Sequence, residues 1–252
     1  TTTTTTTTSH VGLLWQQQTL SSLPWPLVNA NLLQYHHFDA GFSEPCGGSG
    51  LWCRFGTNPA GNIINWSSDT STGSSDGNFG TGMKYLAVNC GDGEQCGSAG
   101  SQAVYQDIDI TSLHISTNES ILMGVNGRVA RGTLTVGTLQ LKLQIVVFPA
   151  GNASVEILWE HSIDAVLPAD DGTLNYDWDS VYLSSIFVYD AVTFPSTLSN
   201  LLLRQKQHGE AAATGPGTLL NQSYYIRFLI LPVAPNTFYI TDAFVNRYPS
   251  AE

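Results

Sequence analysis

Two pairs of acids stand at spacings relevant to glycosidic-bond chemistry: Glu156 with Glu160, and Asp107 with Asp109. On a strand, residues four apart lie roughly 13 Å apart and residues two apart roughly 7 Å. Retaining hydrolases hold their carboxyls at roughly 5–5.5 Å and inverting ones at roughly 6.5–9.5 Å. The glutamates therefore fit neither mechanism, and the aspartates fit only the inverting one. Their alternation with Val104, Ile108 and Ile110 predicts instead a pair of solvent-facing acids. No Gly-x-Ser-x-Gly elbow or His-Glu-x-x-His pattern occurs in the chain. His36 and His37 are adjacent, so on a strand they point to opposite faces. Gly47-Gly-Ser-Gly50 lacks the lysine and following helix of a phosphate loop. These residues predict a protein that does not work as an enzyme.

Covalent chemistry of another kind is expected at Cys46, Cys53, Cys90 and Cys96. An even count in two close, Gly-flanked pairs reads as two small disulfide loops, most simply 46–53 and 90–96, although four cysteines allow three pairings. No C-x-x-C spacing and no neighbouring histidine supports zinc. Disulfides place the chain in an oxidising compartment. Four Asn-x-Ser sequons, at Asn65, Asn118, Asn152 and Asn221, are candidate glycosylation sites. Together these features predict an extracellular location, either secreted or at the cell surface.

The surface they would sit on is polar but nearly uncharged: of 252 residues only 12% are charged, about half the usual share. A net charge of −11 with three lysines, Lys84, Lys142 and Lys206, repels a phosphate backbone, so nucleic acid is not an expected partner. No run approaches the roughly 20 apolar residues of a membrane-spanning helix. The chain begins at Thr1 with no signal-like segment, which predicts that any targeting peptide lies outside it.

The elements that must position these residues read as strands. Alternation and β-branched or aromatic enrichment mark Leu32–Phe38, Lys84–Asn89, Ala103–Ile110, Ile121–Val125, Gly132–Thr135, Leu139–Phe148, Val155–His161, Val181–Tyr189, Tyr224–Leu231 and Thr237–Tyr248. Leu139, Leu141, Leu143 and Ile145 alternate with Gln140, Lys142 and Gln144, which predicts one buried and one wet face. Only Thr197–Gln207 has helix-like spacing. Many strands and almost no helix predict a β-sandwich. Two long loops interrupt them, from Gly56 to Gly82 and from Pro168 to Asp179. The loop aromatics Trp66, Tyr176 and Trp178 are candidates to stack on sugar rings, while Trp159 is expected in the core. Ahead of the strands, residues 1–28 form a Thr-rich arm, and residues 29–252 read as one sandwich domain. Thr1 to Thr8 cannot build a core, but β-branched threonine suits an extended arm. With Val11, Leu13 and Trp15 alternating behind it, the arm is a candidate either to lie along a neighbour's open sheet edge or to dock on its own domain.

Three stretches carry a family resemblance. They are Asn31-Leu-Leu-Gln-Tyr-His-His-Phe-Asp-Ala-Gly41, the segment from Gly80-Thr-Gly-Met-Lys-Tyr-Leu-Ala-Val-Asn89 to Ser101-Gln-Ala-Val-Tyr-Gln-Asp-Ile-Asp-Ile110, and Asn236-Thr-Phe-Tyr-Ile-Thr-Asp-Ala-Phe-Val245. In this order they resemble the opening, paired and closing strands of carbohydrate-binding modules of the galactose-binding-like jelly-roll class. Thr241 stands where that class often carries an acid. The resemblance implies an all-β jelly-roll β-sandwich. It also implies a structural calcium where the opening and closing strands meet, with Asp39 and Asp242 as side-chain ligands. No cofactor for chemistry is expected.

Two functions fit these features. One is a glycosylated structural subunit that assembles with itself, into a filament or a surface layer, through the arm of Thr1, Thr8, Val11, Leu13 and Trp15; this reading is preferred at the level of sequence. The alternative is a carbohydrate-binding module, lectin- or adhesin-like, that uses the resemblance's fold and the loop aromatics. Its expected partners are glycans, attached or bound.

Overall fold

The computed structural model describes residues 31–36, 38, 51–55, 64–68, 84–90, 102–109, 120–130, 133–148, 155–170, 186–193, 223–233 and 236–248. Among the described residues every regular element is a strand: β1 (Cys53–Phe55), β2 (Ile64–Ser68), β3 (Lys84–Cys90), β4 (Ala103–Asp109), β5 (Ser120–Val129), β6 (Gly137–Phe148), β7 (Glu156–Leu167), β8 (Ile186–Thr193), β9 (Ser223–Pro232) and β10 (Asn236–Tyr248). They form two five-stranded sheets, ordered β1-β4-β9-β6-β7 and β2-β3-β10-β5-β8. All pairings are antiparallel.

The strand order is that of a jelly roll. β3 pairs with β10, β4 with β9, β5 with β8 and β6 with β7. The eight strands thus behave as one long hairpin folded over so that successive strand pairs fall in alternate sheets, while β9–β6 and β10–β5 contacts close each sheet. β1 and β2 add one edge strand apiece.

The core lies between the sheets and follows the period of two. Leu139, Leu141, Leu143 and Ile145 of β6 are fully buried and face Ile121, Met123, Val125 and Val129 of β5, with Phe238 and Ile240 of β10 and Ile226, Phe228 and Ile230 of β9 completing the layer. The expected half-buried pattern of β6 is present, with Gln140 and Lys142 partly exposed; Gln144 is buried on the outer face as well. Trp159 packs against the core, as expected. Along one open side of the sandwich, His161 of β7 and Asp190 of β8 face each other across the layers, with Nε2 2.9 Å from Oδ2. The Trp159 ring lies nearly parallel to the His161 ring.

Several expected elements differ. The described residues of Leu32–Phe38 form no strand. Asn31 makes a single bridge to Asn246, and the chain then turns, with Tyr35 and Phe38 in the left-handed region at φ 50° and 57°. That conformation breaks an extended run. Residues 133–135 of the expected strand Gly132–Thr135 form no strand. The expected loop from Gly56 to Gly82 contains β2, so Asn65 and Trp66 stand in an edge strand opposite Ala87 and Leu86. β1 went unpredicted, and β7 continues six residues beyond its expected end at His161 to Leu167. The arm of residues 1–28 and the helix-like segment Thr197–Gln207 lie outside the described residues.

Candidate functional site

The outer face of the first sheet carries a row of polar side chains across four strands. Register places Asp107 of β4 opposite Arg227 of β9, Arg227 opposite Gln144 of β6, and Gln144 opposite Glu160 of β7. The next row holds Tyr105, Leu229 and Lys142. Asp107, Arg227 and Gln144 arrive on this face because their strand neighbours point inward: Gln106 and Ile108, Ile226 and Phe228, Leu143 and Ile145 are all buried. A one-residue slip in any strand would invert this assignment, and the buried inner faces prevent it.

The side chains are bonded in two groups, one at each end of the row. Arg227 donates from Nε to Asp107 Oδ1 at 2.7 Å and from Nη2 to Oδ2 at 2.9 Å, a bidentate fork. Its guanidinium carbon lies 4.1 Å from the Tyr105 ring centroid and 6.0 Å from that of Phe148. Phe148 in turn meets Tyr225 edge-on at 5.4 Å. At the other end Glu160 accepts from Lys142 Nζ at 2.9 Å and from Gln144 Nε2. The Asp107 and Arg227 side chains are both 11% exposed, whereas Lys142 and Glu160 are 22% and 34% exposed. One end of the row is therefore fixed and the other opens to solvent.

Electrostatics follow the same division. Burial alone would lower the Arg227 pKa, but the hydrogen bonds and charge of Asp107 raise it, so the guanidinium stays charged. Burial pushes the Glu160 carboxyl up, and the hydrogen bonds from Gln144 and Lys142 with the Lys142 charge outweigh it and hold Glu160 below its ordinary value. A glycosidase acid needs the reverse. Asp107 and Glu160 are also three interstrand steps apart, roughly 14 Å, beyond the roughly 9.5 Å limit of an inverting pair. This row can bind and orient, but its two carboxylates cannot form a hydrolytic pair.

The sequence-derived candidates fare unevenly. Asp107 was expected to face solvent; it is instead buried against Arg227. Asp242 lies on β10 with Oδ1 2.8 Å from His36 Nδ1, while its expected calcium partner Asp39 lies outside the described residues. Calcium takes six to eight oxygen ligands. The described donors supply one carboxylate, already engaged by an imidazole nitrogen, and among the described residues no group of three acidic, histidine or cysteine side chains gathers. These described side chains do not by themselves complete a calcium shell.

Tyr176 and Trp178 lie outside the described residues, as do Asn118, Asn152, Asn221, Cys46, Cys96, Thr1, Thr8, Val11, Leu13 and Trp15. Cys53 is buried on β1, in register with Tyr105, and Cys90 ends β3 in the other sheet. Among the described residues no helix is long and apolar enough to cross a membrane.

Sequence reasoning overlooked Arg227, Tyr105 and Gln144. The available signal was an arginine inside the apolar run Tyr224-Tyr-Ile-Arg-Phe-Leu-Ile230. A charge there needs a partner on a neighbouring strand.

No protein-family model matches the sequence, and no curated protein matches it. Among solved structures, the chain is similar to a family 4 carbohydrate-binding module at 10% identity and a TM-score of 0.41, over 86% of this chain and 99% of that one. It is similar to a Bacteroides thetaiotaomicron protein described as a candidate sugar-binding protein at 10% identity and a TM-score of 0.43, over 86% and 100% of the two chains. A third is the C-terminal family 22 carbohydrate-binding module of a Clostridium thermocellum xylanase, at 15% identity and a TM-score of 0.36, over 88% and 99%. At such identities and scores the jelly-roll assignment rests on the strand order, and the chain stands as an all-β sandwich similar in outline to carbohydrate-binding modules.

Proposed function

We propose that this chain is an extracellular carbohydrate-binding module that recognises a glycan, without cleaving it, on the outer face of its first sheet. The observation that carries the reading is the row Asp107–Arg227–Gln144–Glu160, flanked by the rings of Tyr105, Tyr225 and Phe148. Sugars are bound by rings that cover their apolar faces and by rigid polar groups that meet their hydroxyls. Here the polar groups are held in place by one another before any ligand arrives, which lowers the ordering cost of binding. Arg227 of the row and Lys142 of the next row each already pair with an acid, so the face suits an uncharged, hydroxyl-rich ligand rather than a polyanion.

The test is a glycan array followed by titration calorimetry, run on the full chain both with calcium and with a chelator. Binding of neutral oligosaccharides is expected, with Lys142→Ala and Glu160→Gln each weakening it about tenfold, the loss of one charge-assisted hydrogen bond of roughly 1.4 kcal/mol. Those two residues lie at the open end of the row, so their variants should keep the wild-type melting temperature to within a few degrees. An array that stays blank in both conditions overturns the proposal.

A further inference from the structure

The segment of residues 31–36 is tied to the closing strand by a dense set of protein contacts. Asn31 Nδ2 donates to the Ala243 carbonyl at 2.9 Å, and Asn31 Oδ1 accepts from the amides of Leu33 at 3.1 Å and Val245 at 3.0 Å. The Leu32 amide donates to Val245 O at 2.8 Å, and the Ala243 amide to His36 O at 3.1 Å. Gln106, fully buried in β4, makes a two-bond clamp with the backbone of Gln34, accepting from its amide at 2.7 Å and donating to its carbonyl at 2.8 Å. The carbonyl of Tyr35 accepts from Trp52 Nε1 at 3.0 Å and from the Phe38 amide at 2.8 Å. His36 Nδ1 then meets Asp242 Oδ1 at 2.8 Å.

This is the corner where the resemblance implies calcium. A calcium ion as the resemblance implies it would draw on the carboxylates of Asp242 and of Asp39, which lies outside the described residues, and on nearby carbonyls, because it needs six to eight oxygens. The carbonyls of Gln34, Tyr35, His36 and Ala243 already accept protein donors, and the carboxylate already meets an imidazole. The left-handed Tyr35 and Phe38 add to the case. Non-glycine residues persist in that region when their surroundings over-determine them, and here the Trp52 and Gln106 clamps do so.

We propose that the opening segment is fastened to β10 by an all-protein clasp, Asn31 and His36 against Ala243, Val245 and Asp242, which takes the place of a structural calcium. The clasp is a property of the fold and does not depend on the glycan-binding reading. The test is the melting temperature of the full chain in a calcium chelator and in millimolar calcium, beside the variants His36→Ala, His36→Gln and Asn31→Ala. The two wild-type curves are expected to coincide. The variants are expected to melt lower by roughly 2–8 °C, the shift that loss of one or two such bonds gives in a domain of this size, and calcium should not restore them. A rise of several degrees on adding calcium to wild-type protein, or one-to-one calcium binding by calorimetry, overturns the proposal. So do variants that melt with wild type. Should an alanine variant fail to fold, the wild-type comparison and the milder His36→Gln still decide the matter.

Discussion

Arg227 and Asp107 are the charged pair most sheltered from water on the outer face of the first sheet. Removing one member of such a pair leaves the other buried and uncompensated, which costs about 3–5 kcal/mol, whereas replacing both with apolar groups of similar size costs far less. Asp107→Ala is accordingly expected to lower unfolding stability in urea by about 3 kcal/mol, and the double variant Asp107→Leu/Arg227→Met to recover most of the loss. Equal losses in the single and double variants would show instead that the pair itself stabilises the fold, and that the cost is not that of an uncompensated buried charge. Glu160 makes a smaller, pH-dependent contribution because a third of its side chain is exposed. Its pKa in the folded chain lies below the ordinary 4.5. The stability it adds is therefore present above that value and lost as pH falls through the folded pKa. Glu160→Gln is expected to lose less melting temperature than wild type between pH 5 and pH 3, measured at constant ionic strength. Thr241, where the resembled modules often carry an acid, has a comparable local logic. Its hydroxyl donates to the buried Asn126 carbonyl at 3.2 Å, beside the register shift between Ile240 and Asp242. An ionised acid has no proton to donate there.

Legibility at the scale of elements followed burial. β6 could be read from its alternation because one face is in the core and the other is wet, and β9 and β10 because apolar residues fill their inner faces. β1 and β2 were missed for the converse reason: they are short edge strands, and the alternation of β2, Ile-Asn-Trp-Ser-Ser, stops after two apolar residues. Leu32–Phe38 has a strand-like composition, but its conformation is set by contacts with Gln106 and Trp52, far away in sequence. The polar row was invisible for the same reason, since Asp107 and Arg227 are separated by 120 positions. One close approach between elements gives a sharp prediction. A Cβ added at Gly127 of β5 would stand 2.7 Å from the backbone oxygen of Tyr239 on β10. Backbone cannot swing away as a side-chain tip can, so Gly127→Ala must shift β5 against β10. It is expected to destabilise by roughly 1–3 kcal/mol, despite alanine's lower unfolded-state entropy. A neutral result in urea denaturation would mean that this strand pair yields easily.

For the molecule as a whole, the jelly-roll order makes the two ends of the strand sequence interdependent. β10 comes last, yet it sits at the centre of the second sheet, between β3 and β5. It also supplies Phe238, Ile240, Ala243 and Val245 to the core, and it receives the clasp from residues 31–36. Without it the second sheet falls into two separate pairs, β2 with β3 and β5 with β8. Two-stranded pieces are marginal by themselves in water, and the inner face of the first sheet would lose its cover. A chain ending before Asn236 is therefore expected to lose the cooperative urea transition and to bind a hydrophobic dye. A chain lacking only residues 249–252, which follow β10, should unfold as wild type does. If the shorter chain instead keeps a sharp transition with native-like circular dichroism, then the first sheet and the remaining strand pairs form a stable body of their own, and the interdependence inferred from the strand order is wrong.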